Sequence, residues 1–208
     1  MYKIKEIYPT IQCEGFHSGR AAIFCRFTGC NLWSGREADR ESAICSFCDT
    51  EFVGMDGQHG GKYTVDELSA MIDTLWEGGD ANKFVVFTGG EPLLQLDENL
   101  VDAMHDKGFE IAVETNGTLA VPKGVDWITC SPKANTQLAI NYANELKIVF
   151  PQDGLSPADF SDFDADHFYL QAMDSDLRDI HTKQTIQYCM KNPKWLLSVQ
   201  THKYLGIL

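Results

Sequence analysis

The sequence predicts an α/β protein, a reduced and partial TIM-like (βα) barrel of mostly parallel strands with few full helices. Short apolar runs typical of buried strands recur along the chain and are interspersed with helical segments. Polar or glycine-rich residues follow each run, as they do where βα barrels build their active sites. No internal repeat or Pro/Gly/Ser-rich linker divides the 208 residues. We therefore expect a single domain spanning 1–208.

Seven apolar runs are predicted to be strands. In chain order they are AAIFCRF, KFVVF, EIAVE, DWITC, ELKIVF, HFYLQ and WLLSVQ. The polar segments at or after their ends are TGC, TGGEP, TNG, SPK, AMD and THK. One such turn is common after any strand, but five or six in succession predict a functional site at one end of the barrel.

Three segments carry helical patterns. The first begins at a capping box formed by Thr64 and Glu67 and ends at the glycines 78–79. The second spans 97–108, with an aspartate cap and a terminal glycine, and the third spans 176–191. Helices are hard to find before DWITC and ELKIVF, which is why the barrel is expected to be reduced.

The net charge of −13 disfavours a nucleic-acid partner, because such binders present a basic surface. Residues 1–50 are neutral, with six basic and six acidic side chains, so the whole excess of negative charge falls on 51–208. No run approaches the ~18 apolar residues of a membrane helix. The start, MYKIKEIYPT, lacks the apolar segment of a signal peptide. We expect a cytoplasmic protein without a membrane partner.

Seven cysteines in a chain without a secretion signal favour metal binding over a disulfide framework. Three of them are spaced C-x14-C-x2-C: Cys30, Cys45 and Cys48. A structural zinc site would need a fourth ligand, for which Cys13, His17 and His59 are candidates. A four-iron cluster held by three cysteines would instead leave one iron open to a substrate or cofactor. The spacing alone leaves both possibilities open.

The surroundings of these cysteines resemble the radical S-adenosylmethionine (SAM) superfamily. Phe47 precedes Cys48, Asp49-Thr50 follows it, and TGGEP occupies 88–92. In that superfamily three cysteines hold a [4Fe-4S] cluster, and SAM chelates the open iron. Most members space the cysteines C-x3-C-x2-C. The longer gap here therefore indicates a form with a loop insertion, at about 30–50.

Further motifs narrow this resemblance. They are Gln12-Cys13-Glu14-Gly15, FCRFTGCNLWSGRE, CDT, TGGEP, ETNGT, SPK, ELKIV and QTHKYL. Together they are similar to the 7-carboxy-7-deazaguanine synthase family and extend from residue 12 to 205. Cys13 is a departure, because the family pattern usually has glycine there. The resemblance implies conversion of 6-carboxy-5,6,7,8-tetrahydropterin to 7-carboxy-7-deazaguanine with loss of ammonia, a step towards queuosine. It also implies three cofactors: a [4Fe-4S] cluster, regenerated SAM and Mg²⁺.

The same resemblance implies residue roles. The cluster ligands are Cys30, Cys45 and Cys48, and the Mg²⁺ contact is Thr50. The SAM-binding residues are Phe47, Cys48, Asp49, Gly90, Glu91, Glu114, Asn116, Ser131, Pro132, Lys133, Gln171, Ala172, Met173 and Asp174. The substrate-binding residues are Gln12, Cys13, Glu14, Arg26, Thr88, His202 and Leu208, the last through its carboxylate. Cys25, Cys130 and Cys189 fall in strand or helix patterns and are expected to be small core residues.

The resemblance also implies partners: a second copy in a homodimer and a flavodoxin-like electron donor. Such donors are usually acidic, so Arg36 and Arg40 in the neutral N-terminal part are candidates for steering. We further expect the apolar residues of the chain end to hold it against the core, because free termini usually fray. They are Tyr204, Leu205, Ile207 and Leu208.

Two other functions remain open from the sequence. One is an activase of glycyl-radical enzymes, which is also a radical SAM class but acts on a protein. The other is a non-enzymatic zinc-binding interaction module. The polar set of Gln12, Glu14 and Arg26 favours a small polar substrate over a protein partner.

Overall fold

The computed structural model describes residues 1–207, and its sheet has nine strands in this part of the chain. The strands are β1 (Tyr2–Ile11), β2 (Ala21–Phe27), β3 (Gly61–Tyr63), β4 (Phe84–Gly89), β5 (Glu110–Thr115), β6 (Trp127–Cys130), β7 (Tyr142–Phe150), β8 (Asp164–Ala172) and β9 (Leu196–Ser198). The α-helices are α1 (Val65–Leu75), α2 (Glu98–His105), α3 (Arg178–Lys191) and α4 (His202–Leu205).

All strands join one sheet in the order β3-β1-β2-β4-β5-β6-β7-β8-β9. From β2 to β9 every neighbouring pair is parallel, whereas β1 is antiparallel to both β2 and β3. The predicted fold class is confirmed, since the sheet is mostly parallel and few helices accompany it. All seven predicted strands are present, and the division into one domain stays a prediction.

The three predicted helices are also confirmed. Both hydrogen bonds of the predicted capping box join Thr64 and Glu67 at the start of α1. Asp97 caps α2 by accepting from the backbone N–H of Leu100. No helix within residues 1–207 has the length and apolarity needed to cross a membrane.

Three elements are absent from the sequence prediction: β1, β3 and α4. The register of β1 against β2 shifts between Ile4 and Glu6, so apolar residues change their spacing within the strand. A strand pattern with strict alternation is lost at such a bulge. β3 has three residues and α4 has four, too few for a periodic signal to develop.

Alternation along β2 shows how the sheet separates core from site. Ile23, Cys25 and Phe27 lie in the hydrophobic core that includes α1 and α2. Phe24 lies on the opposite face, and Arg26 points the same way because side chains alternate along a strand. The predicted core role of cysteines holds for Cys25 and Cys130, which are fully buried, while Cys189 is half-buried.

An aromatic cluster lies on the site face, toward the start of the parallel strands. Phe16 stacks on Trp127 at 5.0 Å and on His167 at 4.3 Å between ring centroids. His17 packs against Trp127 and Phe84. These rings fill one end of the face, so the open end is the one where the parallel strands finish.

Candidate active site

A cavity of about 490 Å³ opens where the parallel strands end. Arg26 on β2 and Thr88 on β4 are paired in register near the ends of their strands, and both line the cavity. Glu114 on β5, Lys147 on β7 and Gln171 on β8 line it from the following strands. Alternation therefore places successive polar side chains on one face, as the sequence predicts for a βα barrel.

The cavity brings together most of the predicted site residues. Those that line it are Gln12, Cys13, Glu14, Arg26, Cys30, Cys45, Phe47, Cys48, Asp49, Thr50, Thr88, Gly90, Glu114, Asn116, Ser131, Lys133, Gln171, Ala172, Met173, Asp174 and His202. Glu91 and Pro132 are not among the lining residues. Leu208 lies outside the described residues, so its predicted role stays a prediction.

The three predicted cluster cysteines lie close enough to influence one another. A hydrogen bond with Cys48, together with burial, raises the pKa of Cys45, and the same bond lowers the pKa of Cys48 to about 6. Burial raises the pKa of Cys30, to which the charge of Cys48 also contributes. The three thiols therefore share one corner of the cavity.

Cys30, Cys45 and Cys48 all line the cavity, and cysteine thiolates are the ligands that iron–sulfur clusters take. Within residues 1–207, no three Cys, His, Asp or Glu side chains are grouped to hold a single metal ion. A cubane cluster would bind each of the three thiolates at a different iron. His17, a candidate fourth zinc ligand, lies instead among the aromatic rings of Trp127 and Phe84.

Two glycines allow the chain at the end of β4 to approach Cys30, the first of the three predicted cluster cysteines. A side chain at Gly90 would overlap the carbonyl oxygen of Gly29 and press on Cys30. Gly89 has φ 138° and its added Cβ would overlap the backbone of Phe27. Glycine is needed at both positions because the backbones touch, and at Gly89 also because L side chains disfavour its φ value.

Glu91 lies beneath this loop rather than in the cavity wall. Its side chain is fully buried and accepts hydrogen bonds from Thr115 Oγ1 at 2.8 Å and from the backbone N–H of Asn116 at 2.8 Å. It thus ties the TGGEP loop to the TNG loop of the neighbouring strand. Burial raises the pKa of this carboxyl group. Its predicted contact with SAM stays a prediction.

Lys147 is a central residue of the site that the sequence reasoning missed. Its ammonium group lies 2.7 Å from Glu14 Oε2 and 3.0 Å from Glu114 Oε2, and its side chain is 6% exposed. Burial alone would lower the pKa of Lys147, but the negative charges of Glu114 and Glu14 raise it above its ordinary value. Lys147 stands in the quoted ELKIV motif, and its alternation with the buried Leu146 could have assigned it to the site face.

Glu14 is also held by amide side chains from two later segments. Gln171 and Gln200 donate to its Oε1 atom at 3.2 and 3.0 Å. Burial works against ionisation of Glu14, yet Lys147 and the hydrogen bond from Gln200 lower its pKa. Gln12 donates to Glu114 Oε1 at 3.2 Å. The predicted substrate residues and the predicted SAM residues thus belong to one hydrogen-bonded network.

Arg26 lines the cavity and is paired within the protein. Its Nε atom donates to Glu6 Oε1 at 2.8 Å and its Nη2 atom to the Tyr8 hydroxyl at 3.0 Å. The side chain is 16% exposed, so the pair lies within the cavity wall and not on the outer surface. A guanidinium has five N–H donors, which leaves Arg26 donors for a further acceptor.

The end of the chain differs from the prediction. Tyr204 and Leu205 are 71% and 65% exposed, so the expectation that apolar residues anchor this segment is wrong for both. Polar contacts hold it instead. Lys203 donates to Asp49 at 2.8 Å and to Asp174 at 2.6 Å. Thr201 Oγ1 donates to the carbonyl of Cys13 at 3.0 Å.

These contacts position α4 beside the cluster loop and place His202 in the cavity wall. Partial burial works against ionisation of Asp49, but the ammonium of Lys203 lowers its pKa. Thr50 lines the cavity next to Asp49, as the predicted Mg²⁺ contact requires. The predicted contact with Mg²⁺ is untested by these positions and stays a prediction.

The chain is similar to known proteins in both sequence and structure. Residues 41–140 match the Radical SAM superfamily. The 7-carboxy-7-deazaguanine synthases of Caulobacter vibrioides and Burkholderia multivorans are 54% and 56% identical to this chain over 207 residues, covering 99% of each chain. The crystal structure of QueE from Escherichia coli superposes with a TM-score of 0.70 and 26% identity, covering 97% of this chain and 94% of that one.

The fold, the three-cysteine corner and the superfamily match define a radical SAM enzyme. A [4Fe-4S] cluster and SAM are therefore its cofactors. Full-length identities above 50% narrow the class further. The chain belongs to the 7-carboxy-7-deazaguanine synthase family.

Proposed function

We propose that this protein converts 6-carboxy-5,6,7,8-tetrahydropterin to 7-carboxy-7-deazaguanine with loss of ammonia, in the biosynthesis of queuosine and other 7-deazapurines. One structural observation supports this proposal. The three cluster cysteines and the polar residues Gln12, Glu14 and Arg26 line the same cavity. Relatives named 7-carboxy-7-deazaguanine synthase match 99% of the chain.

Glu14 suits the guanidine-like edge of a pterin. Its lowered pKa keeps it ionised near neutral pH, and a carboxylate accepts strong hydrogen bonds from such N–H groups. Its two oxygens accept three hydrogen bonds within the protein, from Lys147, Gln171 and Gln200. A carboxylate has about four acceptor sites, which leaves room for a donor from the substrate.

Arg26 is the proposed partner of the substrate carboxylate. The guanidinium lines the cavity and keeps donors beyond those used on Glu6 and Tyr8. Charge-assisted bonds of this kind are shorter and stronger than neutral ones. His202 and Thr88 complete the proposed substrate pocket, and both line the cavity.

Cys30, Cys45 and Cys48 would hold the cluster, with SAM beside the Gly89-Gly90 loop and the ends of β5, β6 and β8. When bound, the cluster and SAM supply a carbon radical that removes and later returns a hydrogen atom of the substrate. The protein binds, orients and shields the reactants. Its hydrogen-bonded network joins Glu14 and Glu114 through Lys147, so that the two binding regions are fixed relative to each other.

Thr50 is the proposed Mg²⁺ contact, with Asp49 beside it. Mg²⁺ prefers oxygen ligands and keeps several waters, so one protein hydroxyl is enough. Thr50→Ala should lower activity and blunt its dependence on added Mg²⁺, while SAM binding is retained. Thr74→Ala, in the exposed face of α1, is the control. An unchanged magnesium response of Thr50→Ala would remove this residue from the proposed metal site.

The test of the function is product formation. The anaerobically reconstituted protein should form 7-carboxy-7-deazaguanine from the carboxylated tetrahydropterin, SAM, Mg²⁺ and dithionite, without consuming SAM stoichiometrically. Failure to form product, together with radical formation on a glycyl-radical enzyme, would favour the activase. A colourless protein that holds zinc would favour the interaction module.

We further propose that the protein is a cytoplasmic homodimer reduced by a flavodoxin-like donor. Exposed apolar residues on α3, at its N-cap and on the edge strand β9 support a protein–protein contact there: Leu177, Ile180, Met190, Leu196 and Leu197. Light scattering should give twice the 23.3 kDa mass of the chain. A monomer at micromolar concentration would contradict the dimer.

A further inference from the structure

The loop between the first two cluster cysteines is organised around Arg40. Its Nη1 atom donates to the carbonyl oxygens of Ser46 at 2.8 Å and of Cys48 at 3.1 Å. These two residues flank Phe47 in the short turn that presents the last two cysteines. Its Nε and Nη2 atoms donate to both carboxylate oxygens of Glu37, at 2.7 and 2.6 Å. One guanidinium thus joins the loop to the C-x2-C turn that follows it.

The ring of Trp33 packs against the guanidinium of Arg40. The guanidinium carbon of Arg40 lies 4.1 Å from the centroid of the Trp33 ring, which is a cation–π contact. Trp33 is 7% exposed, and its indole N–H donates to the carbonyl of Arg36 at 3.2 Å. Its ring meets Phe52 edge to face at 5.6 Å. Arg40 is therefore packed between a fixed aromatic ring and the cysteine turn.

A long loop needs such a fixed point because closing a longer flexible loop costs more conformational entropy. Only a planar guanidinium can meet the two carbonyls, a bidentate carboxylate and a ring face at the same time, since lysine has a compact ammonium instead. The positive charge also lies near Cys45 and Cys48, whose thiolates would carry the cluster. The loop thus receives both its shape and a positive charge from one residue.

We propose that Arg40 is a positioning residue of the expanded cluster loop: it holds the C-x2-C turn for the [4Fe-4S] cluster and raises the cluster's reduction potential. The proposal goes beyond the proposed function and depends on the cluster alone. It also replaces the expectation that Arg40 is available to steer an electron donor, because four of its N–H contacts are made within the loop.

Three variants separate shape from charge: Arg40→Lys, Arg40→Gln and, as the matched control, Arg36→Gln. Arg36 is exposed in the same loop, so its removal changes the net charge equally. The measurements are iron per chain after anaerobic reconstitution, the rate of iron loss to a chelator and the midpoint potential from an EPR-monitored titration. Thermal unfolding of each variant without iron checks that it folds.

Arg40→Gln should lose iron about tenfold faster, the factor that one hydrogen bond from a charged group is worth. Its midpoint potential should be lower, because a positive charge next to the cluster favours the reduced state. Arg40→Lys keeps the charge and should hold the potential while losing iron faster. Arg36→Gln should match the unmodified protein in both the rate of iron loss and the midpoint potential.

Equal iron loss and equal potential in Arg40→Gln and Arg36→Gln would overturn the proposal. So would loss of flavodoxin-driven turnover alone, with iron and potential unchanged, which would assign Arg40 to donor docking. If Arg40→Gln does not fold, Arg40→Lys carries the test through its iron loss. If neither the unmodified protein nor Arg36→Gln binds iron, the failure lies in the cluster assignment and not in the role of Arg40.

Discussion

The ammonium nitrogen of Lys147 lies 2.7 Å from Oε2 of Glu14, in a part of the cavity wall where the lysine side chain is 6% exposed. A second carboxylate, that of Glu114, lies 3.0 Å from the same nitrogen. Glu14 is the proposed substrate residue and Glu114 a proposed SAM residue. One buried positive charge therefore compensates two carboxylates, and it fixes the distance between the two proposed binding regions.

Replacing Lys147 with methionine should strongly destabilise the protein. The variant keeps the volume but leaves two buried carboxylates without their cation, a change that typically costs about 3–5 kcal/mol. Urea denaturation at pH 7 measures the loss. Lys183→Met, on the exposed face of α3, is the control. Adding Glu14→Gln and Glu114→Gln should recover part of the stability. Equal stability of the Lys147 and Lys183 variants would show that the carboxylates do not depend on Lys147.

Replacing any of Cys30, Cys45 or Cys48 with alanine should abolish iron loading as a [4Fe-4S] species and all turnover. The reason is that a cluster held by three thiolates loses one of its iron–protein bonds. Iron analysis and the absorption spectrum of the reconstituted protein measure this. Cys189→Ala, half-buried on α3, should keep both properties. A Cys45→Ala protein with full iron content would contradict the ligand assignment.

Lys203→Gln should weaken SAM and substrate binding without affecting the core. Its ammonium joins Asp49 after the cluster cysteines to Asp174 after β8, at 2.8 and 2.6 Å. The side chain is 25% exposed, so these bonds are partly screened and we expect a loss of about 1 kcal/mol, or roughly fivefold in affinity. Calorimetric binding of SAM measures it, with Lys183→Gln for comparison. Unchanged affinity would mean that the contact with Asp49 does not shape the site.

The sequence predicted the parts of the fold that carry a simple periodicity. The buried parallel strands appeared as apolar runs, and α1 had an explicit capping box at Thr64 and Glu67. β1 was not predicted because its bulge near Ile4 breaks the alternation of apolar and polar residues. The prediction for the end of the chain was wrong for a different reason. Apolar Tyr204 and Leu205 suggested packing against the core, whereas the segment is held by the ion pairs of Lys203.

The site was predicted from motifs, and motifs name positions without showing which side chains meet. Gln12, Glu14 and Glu114 were predicted as site residues, but the contacts of Lys147 with Glu14 and Glu114 were not, because alternation gives the face of a strand on which a side chain lies and not its partners. Arg40 was predicted, together with Arg36, to steer an acidic electron donor, because the charge balance of residues 1–50 does not show which contacts a side chain makes. Its hydrogen bonds to the carbonyls of Ser46 and Cys48 require the folded loop.

Glu145 gives a prediction for the dependence of stability on pH. Its side chain is 2% exposed and accepts a hydrogen bond from the backbone N–H of Phe16 at 2.9 Å. Burial raises its pKa to about 7, although Lys147 acts in the opposite direction. The folded protein therefore keeps this proton at pH values where the unfolded chain, with a carboxyl pKa of about 4.3, has lost it.

The direction of this pH dependence follows from the number of protons that each state binds. The folded state binds more protons than the unfolded state between the two pKa values, so the contribution of Glu145 to the free energy of unfolding is present below pH 4. This contribution is lost progressively as the pH rises from 4 to 7. Above pH 7 the effect of Glu145 on the free energy of unfolding no longer changes with pH. Glu145→Gln removes this dependence, so the variant should gain up to about 3 kcal/mol relative to the unmodified protein between pH 4.5 and 7.5.

Urea denaturation at half-unit steps across this range measures the difference, with the exposed Glu77→Gln as control. A glutamine keeps an acceptor for the Phe16 N–H, so the aromatic cluster beside it should stay in place. The control should differ from the unmodified protein by a constant amount. A constant difference for Glu145→Gln as well would show that this carboxyl group titrates near its ordinary pKa despite its burial.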